Sequence, residues 1–89
     1  MKVVFDTSFS KSLKKLKIKW LKKRIEEVII EAEKADSIRD ISSVKKMEGF
    51  KNFYRIRVGD YRVGVELEDD STLRFIIVAD RKDIYKKFP

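Results

Sequence analysis

Three arginines lie within nine residues of this chain, in Tyr54-Arg55-Ile56-Arg57-Val58-Gly59-Asp60-Tyr61-Arg62, and they carry its clearest chemistry. Gly59-Asp60 is a two-residue link with glycine first, the pattern of a type II′ hairpin turn. That register sets Val58 against Tyr61, Arg57 against Arg62, Ile56 against Val63 and Arg55 against Gly64. Side chains alternate along a strand, so Tyr54, Ile56, Val58, Tyr61, Val63, Val65 and Leu67 share a core face. Arg55, Arg57, Arg62, Gly64 and Glu66 share the other. Two arginines placed opposite each other repel, and Gly64 weakens its strand while leaving open backbone beside a guanidinium. Three planar forks of donors around such a hollow suit a phosphodiester. The plainer alternative is a solvated face on which Glu66 and Glu68 serve as ion-pair partners.

Other chemistries are excluded by composition. The 89 residues include no histidine and no cysteine. Disulfides, thiolate nucleophiles, imidazole metal sites and serine–histidine pairs are therefore impossible. No metal site and no cofactor is expected. The net charge is +7 and is unevenly spread. Residues 1–25 hold nine lysines and arginines against Asp6 alone, whereas residues 26–44 hold six acidic residues against Lys34 and Arg39. A concentrated positive segment fits a polyanionic partner; a solvated lysine-rich helix face explains it equally well. The apolar run at residues 3–5 is too short for a signal peptide, and no segment approaches a membrane span. A cytoplasmic protein without membrane contact is expected.

The elements that position the arginines follow from periodicity. A single domain over residues 1–89 has room for one core and no separate cofactor domain. Val3-Val4-Phe5 reads as a first strand, and Asp6, Thr7 and Ser8 are helix-starting residues. Phe9, Leu13 and Leu16 mark one face of a first helix. Ile18, Leu21, Ile25, Val28, Ile29 and Ala32 mark a second from about Ile18 to Ala35. The boundary near Lys17 carries neither glycine nor proline. Residues 34–43 read as a polar connection. The period then changes to two: Val44–Met47, Phe53–Val58, Tyr61–Glu68 and Thr72–Ala79 read as strands, with a turn at Glu68-Asp69-Asp70-Ser71. Asp80–Lys87 reads as a short closing helix or helical turn. The expected class is α+β, ordered β-α-α-β-β-β plus a C-terminal helix, with an antiparallel sheet packed against the two N-terminal helices. Phe9, Trp20 and Phe75 are expected in the core.

Taken in order, Met47-Glu48-Gly49, the strand Tyr54-Arg-Ile-Arg-Val, Gly59-Asp60-Tyr61-Arg62-Val63 and Asp80-Arg81-Lys82-Asp83-Ile84-Tyr85 resemble the RelE/ParE toxin superfamily. The resemblance covers nearly the whole chain, and each motif is weaker alone than in sequence. It implies a RelE-type toxin of a type II toxin–antitoxin system, restrained by a cognate antitoxin. Such a toxin enters the ribosomal A site and cuts mRNA without a metal, by 2′-hydroxyl attack on the adjacent phosphate. By resemblance Arg55 and Arg57 match the two basic positions of the family strand. Arg62 matches a transition-state arginine, Arg81 the arginine before the last helix, and Tyr85 a late tyrosine that stacks on a base or helps move a proton. Lys14, Lys15, Lys19, Lys22, Lys23, Lys82 and Lys86 are candidates for salt-dependent contact with RNA backbone.

The pattern departs from the family where relatives carry lysines in place of Arg55 and Arg57. An arginine effectively never deprotonates, so these two act as clamps and not as bases. Asp80 occupies the place where some relatives have histidine. It is either a base for the 2′-hydroxyl or, with Asp83 three residues on, a helix cap. Glu48 is a further carboxylate that matches no family base, and Tyr85 at i+4 from Arg81 has packing with Ile84 and Phe88 as its alternative. Two other functions remain open by resemblance. One is the gyrase-inhibiting ParE branch; the other is a catalytically weakened toxin retained as an antitoxin-binding regulator.

Overall fold

In a computed structural model covering residues 1–89, β1 (Lys2–Phe5) leads into α1 (Thr7–Lys15) and α2 (Lys19–Lys34). A 3-10 turn at Ile38–Asp40 follows, then β2 (Val44–Lys46), β3 (Phe53–Val58), β4 (Tyr61–Asp69), β5 (Thr72–Asp80) and α3 (Ile84–Lys87). The strands form one sheet in the order β1-β5-β4-β3-β2. β2 to β5 are antiparallel neighbours, but β1 lies parallel to β5, pairing Val3 with Leu73 and Phe5 with Phe75. The strands that follow the helices form the expected antiparallel sheet, and β1 adds a parallel edge that makes the whole sheet mixed. Alternation of apolar and polar residues reports which face a strand buries, not the direction in which it runs. Here two intervening helices carry the chain across the sheet before its second strand, so no hairpin dictates the direction of β1.

The helix boundary is set without glycine or proline. Leu16 and Ile18 adopt extended backbone, and both pack partly buried against the core, so the joint is held by burial. Phe9, Leu21, Ile25, Val28 and Ala32 from the helices meet Ile56, Val58, Val63, Val65, Leu73, Phe75 and Val78 from the sheet. The polar connection also contributes, since Ile38 and Ile41 are buried in the same cluster. A side chain the size of phenylalanine or leucine contributes about 1.5–3 kcal/mol on such burial, so this face dominates the fold's stability.

The opposite face carries a smaller cluster of Met47, Ala79, Ile84 and Phe88, with Phe53 and Ile77 against it. Its key contact is Phe88 on Gly64: a Cβ at position 64 would lie 2.8 Å from the ring. The open backbone expected beside Arg55 is thus filled by the C-terminal segment. Glycine there admits a ring, not a ligand. Trp20 also departs from expectation. It is 55% exposed, with its indole lying over the Gly59 turn.

Candidate functional site

The hairpin register is the one its turn residues dictate. Gly59 has φ +60°, and Arg57 faces Arg62 while Arg55 faces Gly64. Asp60 has no positive φ, as a type II′ turn requires of its second position. Ile56, Val58, Val63 and Val65 are buried in the main core, so the alternating arginines stand on the other face. β2 adds a fourth cation, because Lys45 pairs with Arg55. Lys45, Arg55, Arg57 and Arg62 line one hollow of about 350 Å³ with Ser43 and Val44, and no carboxylate lines it. Ser43 has φ +61°, an uncommon left-handed turn for this residue. Its carbonyl accepts the Arg57 N–H at 3.1 Å, which extends the β2–β3 pairing to the edge of the hollow.

The hydrogen bonds of the hollow's cations are few. Arg62 Nη1 donates to the Gly59 and Tyr61 carbonyls, each at 3.0 Å, so its guanidinium folds back over its own turn. Arg55 Nη1 sits 3.7 Å from the Met47 sulfur, and its guanidinium carbon lies 5.3 Å from the centre of the Tyr85 ring. That is cation–π distance. The ion pairs of the whole chain are Arg24–Glu27, Arg74–Asp6 and Arg74–Glu68. None involves the hollow. Glu68, one of the carboxylates available to neutralise the hairpin, is bound instead to Arg74 at 3.0 Å.

The remaining sequence candidates divide between the two faces. Tyr85 is 61% exposed beside Arg55, so of the C-terminal residues Ile84 and Phe88 pack on the sheet and Tyr85 does not. Arg81 is exposed, and its backbone N–H donates to the Asp60 carbonyl at 2.9 Å, which ties it to the turn that carries Arg62. Asp80 pairs with Tyr61 and so belongs to the helix side of the sheet, away from the arginines. Its carboxylate accepts the Lys82 N–H at 2.8 Å, shaping the turn into α3. Asp83, not Asp80, stands at the N-cap of that helix. Lys82 and Lys86 are exposed around α3. Lys14, Lys15, Lys19, Lys22 and Lys23 all belong to α1 and α2, which cover the face opposite the hollow. Lys15 lines a separate groove there with Lys11, Tyr61, Asp80 and Asp83. Lys45 was passed over because strand alternation alone does not reveal which strand β2 will join.

Next to the cationic hollow, and sharing Lys45 and Arg55 with it, is a second hollow of about 520 Å³. Lys46, Glu48, Phe50 and Tyr85 line it, with Met47, Phe88 and Pro89 completing its walls. No helix is long and apolar enough to cross a membrane.

Comparison with known proteins bears on the family and the fold. The model of the family described as ParE toxin of the type II toxin–antitoxin system parDE matches residues 3–85. Toxin RelE3 of Methanocaldococcus jannaschii is 43% identical over 90 residues, covering all of both chains. Among solved structures, the RelB–RelE antitoxin–toxin complex from Methanococcus jannaschii contains a chain 39% identical, with a TM-score of 0.79 over 97% of this chain and 99% of that one. The archaeal RelE–RelB complex from Pyrococcus horikoshii gives 27% identity and a TM-score of 0.69, over 90% and 93%.

Proposed function

This chain belongs to the RelE/ParE superfamily of type II toxin–antitoxin toxins, and from that premise we propose that it is a ribosome-dependent mRNA endoribonuclease held in check by a cognate antitoxin. One observation carries the reading: four cations, Lys45, Arg55, Arg57 and Arg62, line one hollow and none has a carboxylate partner. An unneutralised cluster costs stability, and a phosphodiester offsets that cost when it binds. The two archaeal chains compared above were solved in complexes with RelB, which supports an antitoxin partner here.

The reaction is strand cleavage by the 2′-hydroxyl of the substrate. That oxygen attacks the adjacent phosphorus and gives up its proton, the 5′-oxygen of the next nucleotide leaves and takes up a proton from water, and a 2′,3′-cyclic phosphate and a 5′-hydroxyl result. Negative charge grows on the non-bridging oxygens as the phosphorus becomes five-coordinate. Guanidinium donors aimed at those oxygens stabilise that charge more than the ground state, which is what lowers the barrier. Arg62 leaves its turn carbonyls for the phosphate, and Arg55 and Arg57 hold the backbone on either side. Arg81, anchored through Asp60, adds charge at the turn, and Tyr85 offers a ring to a base. Metal plays no part in this scheme. The arginines do not remove the 2′-hydroxyl proton, because a guanidinium stays charged. Asp80 is on the other side of the sheet and is engaged by Lys82, so we assign it to the α3 turn. Working on ribosome-bound mRNA places the protein in the cytoplasm, and the lysines of α1 and α2 are left for backbone contacts with ribosomal RNA.

The test is expression without antitoxin, with primer extension on ribosome-bound mRNA. Growth arrest with defined A-site cuts is expected, and Arg62→Ala combined with Arg81→Ala relieves both. Full toxicity in that double variant overturns the assigned site. A second reading is favoured by the family model itself, which is that of ParE toxins: arrest without mRNA cuts assigns the chain to the gyrase-inhibiting branch. Normal growth on unrestrained expression makes it a weakened, antitoxin-binding regulator.

A further inference from the structure

The hollow beside the arginines is unlike them in chemistry. It is walled by the exposed aromatic rings Phe50 and Tyr85 and bordered by Glu48, the one acidic side chain that lines either hollow. Phe50 is 46% exposed in the middle of the β2–β3 loop. Behind it runs an aromatic chain: Phe50 meets Phe53 edge-to-face at 5.9 Å, and Phe53 meets Phe88 at 5.5 Å. Phe88 in turn lies on Gly64. The Phe50 ring is therefore braced on the half-buried Phe53 ring, which itself packs on the buried Phe88, although Phe50 stands in solvent. Exposed apolar groups clustered together, as Phe50 and Tyr85 are in this hollow, mark a contact surface more often than single exposed ones do. The Tyr85 ring already carries the Arg55 guanidinium, which leaves Phe50 as the aromatic surface not engaged by a cation.

Glu48 is free as well. Lys45 and Lys46 line the hollow with it, yet no ion pair or side-chain hydrogen bond engages its carboxylate. A carboxylate repels phosphate. It accepts hydrogen bonds from amino and ring N–H groups on the edge of a base. Its presence in one hollow and absence from the other sorts a nucleotide by its parts, with phosphate toward Lys45 and Arg55 and base toward Phe50 and Glu48.

We propose that this hollow is a nucleobase pocket in which Phe50 stacks on an unpaired base and Glu48 reads its edge, favouring guanine, whose adjacent N1–H and N2–H₂ donors match the two carboxylate oxygens. The proposal deepens the nuclease reading and rests on it for the identity of the strand as RNA. Three features select single-stranded RNA over a protein segment as occupant. The hollow is continuous with the phosphate hollow through Lys45 and Arg55, its border is cationic, and its free aromatic ring suits a planar ligand. Stacking on such rings is tolerant of sequence, so the selectivity falls to Glu48.

The experiment uses the full chain and a trinucleotide with 2′-O-methyl riboses, which cannot be cleaved, carrying the fluorescent base 2-aminopurine at its centre. The fluorescence of the wild-type complex is expected to be quenched on saturation. Phe50→Ala removes the quench and weakens binding about 5- to 150-fold, and Phe50→Trp restores both. Because Phe50 is half out of the protein, circular dichroism checks that the alanine variant remains folded. In competition, a trinucleotide with guanine at the centre displaces the probe about tenfold better than one with uracil, and Glu48→Gln erases that difference. Saturating binding without quenching overturns the pocket, as does an unchanged quench in Phe50→Ala. So does a Phe50→Ala variant that keeps its RNA quench and loses affinity for the cognate antitoxin, since the hollow would then seat protein. Primer extension on ribosome-bound mRNA, run beside this assay, separates the two ideas. Cleavage without a quench removes the pocket and keeps the nuclease, whereas a quench without cleavage keeps the pocket and removes the nuclease.

Discussion

β4 begins at Tyr61-Arg62 and ends at Glu68-Asp69, and charge is handled in opposite ways at its two ends. Near the far end, Arg74 of β5 donates to Asp6 at 2.7 Å and to Glu68 at 3.0 Å. These two bonds, that to Asp6 first, raise the guanidinium pKa above its ordinary value. The Asp69 carboxylate meanwhile accepts from the backbone and hydroxyl of Ser71. At the near end, Arg62 stands opposite Arg57, and neither meets a carboxylate. Both ends are hairpins of the same sheet, and an arginine stands beside each. The far end satisfies its charges internally and ties β1 to β5. The near end keeps them available, and no carboxylate of the folded chain offsets their repulsion.

The sharpest break of that comparison is functional. Arg62→Ala is expected to lower the rate of mRNA cleavage by about 10²- to 10³-fold, the range for removing one transition-state donor, with thermal stability little changed, because the relieved repulsion from Arg57 is set against two lost turn hydrogen bonds. Arg74→Ala should do the reverse: cleavage stays at the wild-type rate, and the melting temperature falls slightly, less so at high salt. Equal losses of cleavage in both variants would mean that the near end has no special role.

Next in size is the support beneath the near end. Gly64→Ala puts a Cβ 2.8 Å from the Phe88 ring, so the ring must leave or the strand must shift. Overpacking of this kind costs about 1–3 kcal/mol, read by chemical denaturation. Amide exchange should quicken in α3 while the β1–β5 pairing stays protected. Uniform loss of protection across the sheet would show that α3 is not separately dependent on Gly64. A smaller effect, and one opposite in sign, is expected at Arg57. Arg57→Thr removes the like-charged cross-strand pair and places a strand-forming residue at an exposed position, so stability rises by about 0.2–1 kcal/mol while cleavage falls. A variant that gains no stability would show that solvent already screens the arginines from each other.

Sequence reasoning reached this contrast only in part. The type II′ turn and its register were legible because Gly59-Asp60 leaves few alternatives, and one register places every arginine and every core valine. The two helices and the four later strands were legible from period alone, within one or two residues at each boundary apart from α3, whose single turn starts at Ile84. What stayed hidden depends on contacts between segments distant in sequence. The parallel β1, Lys45 beside Arg55, and Phe88 over Gly64 all need the tertiary arrangement. So does the placement of Asp80, whose neighbour Arg81 suggested the arginine side while its strand partner Tyr61 puts it on the other. The exposed Trp20 misled for a similar reason: a large apolar side chain in an amphipathic helix reads as core, and only the nearby Gly59 turn gives it an external support. Ile38 and Ile41 were missed because two isolated isoleucines in a polar stretch show no period.

The smallest effect lies at the far hairpin and tests whether its charge is structural. Asp69 accepts the Ser71 N–H at 2.9 Å and the Ser71 hydroxyl at 3.1 Å, and the backbone bond is the main reason its pKa falls below the ordinary 3.8. The folded state therefore prefers the ionised carboxylate more strongly than the unfolded chain does. By linkage, the resulting stability is fully present above the unfolded value and is lost as pH falls through the lowered folded value. Asp69→Asn keeps an acceptor for the same turn and removes the charge. Its melting temperature should lie slightly below wild type at neutral pH, and the two curves should converge as pH falls below 3.8. If the Asn variant tracked wild type at a constant offset down to the acid limit, the charge of Asp69 would contribute nothing. The difference between the hairpins would then rest on Arg74 and its two carboxylates alone.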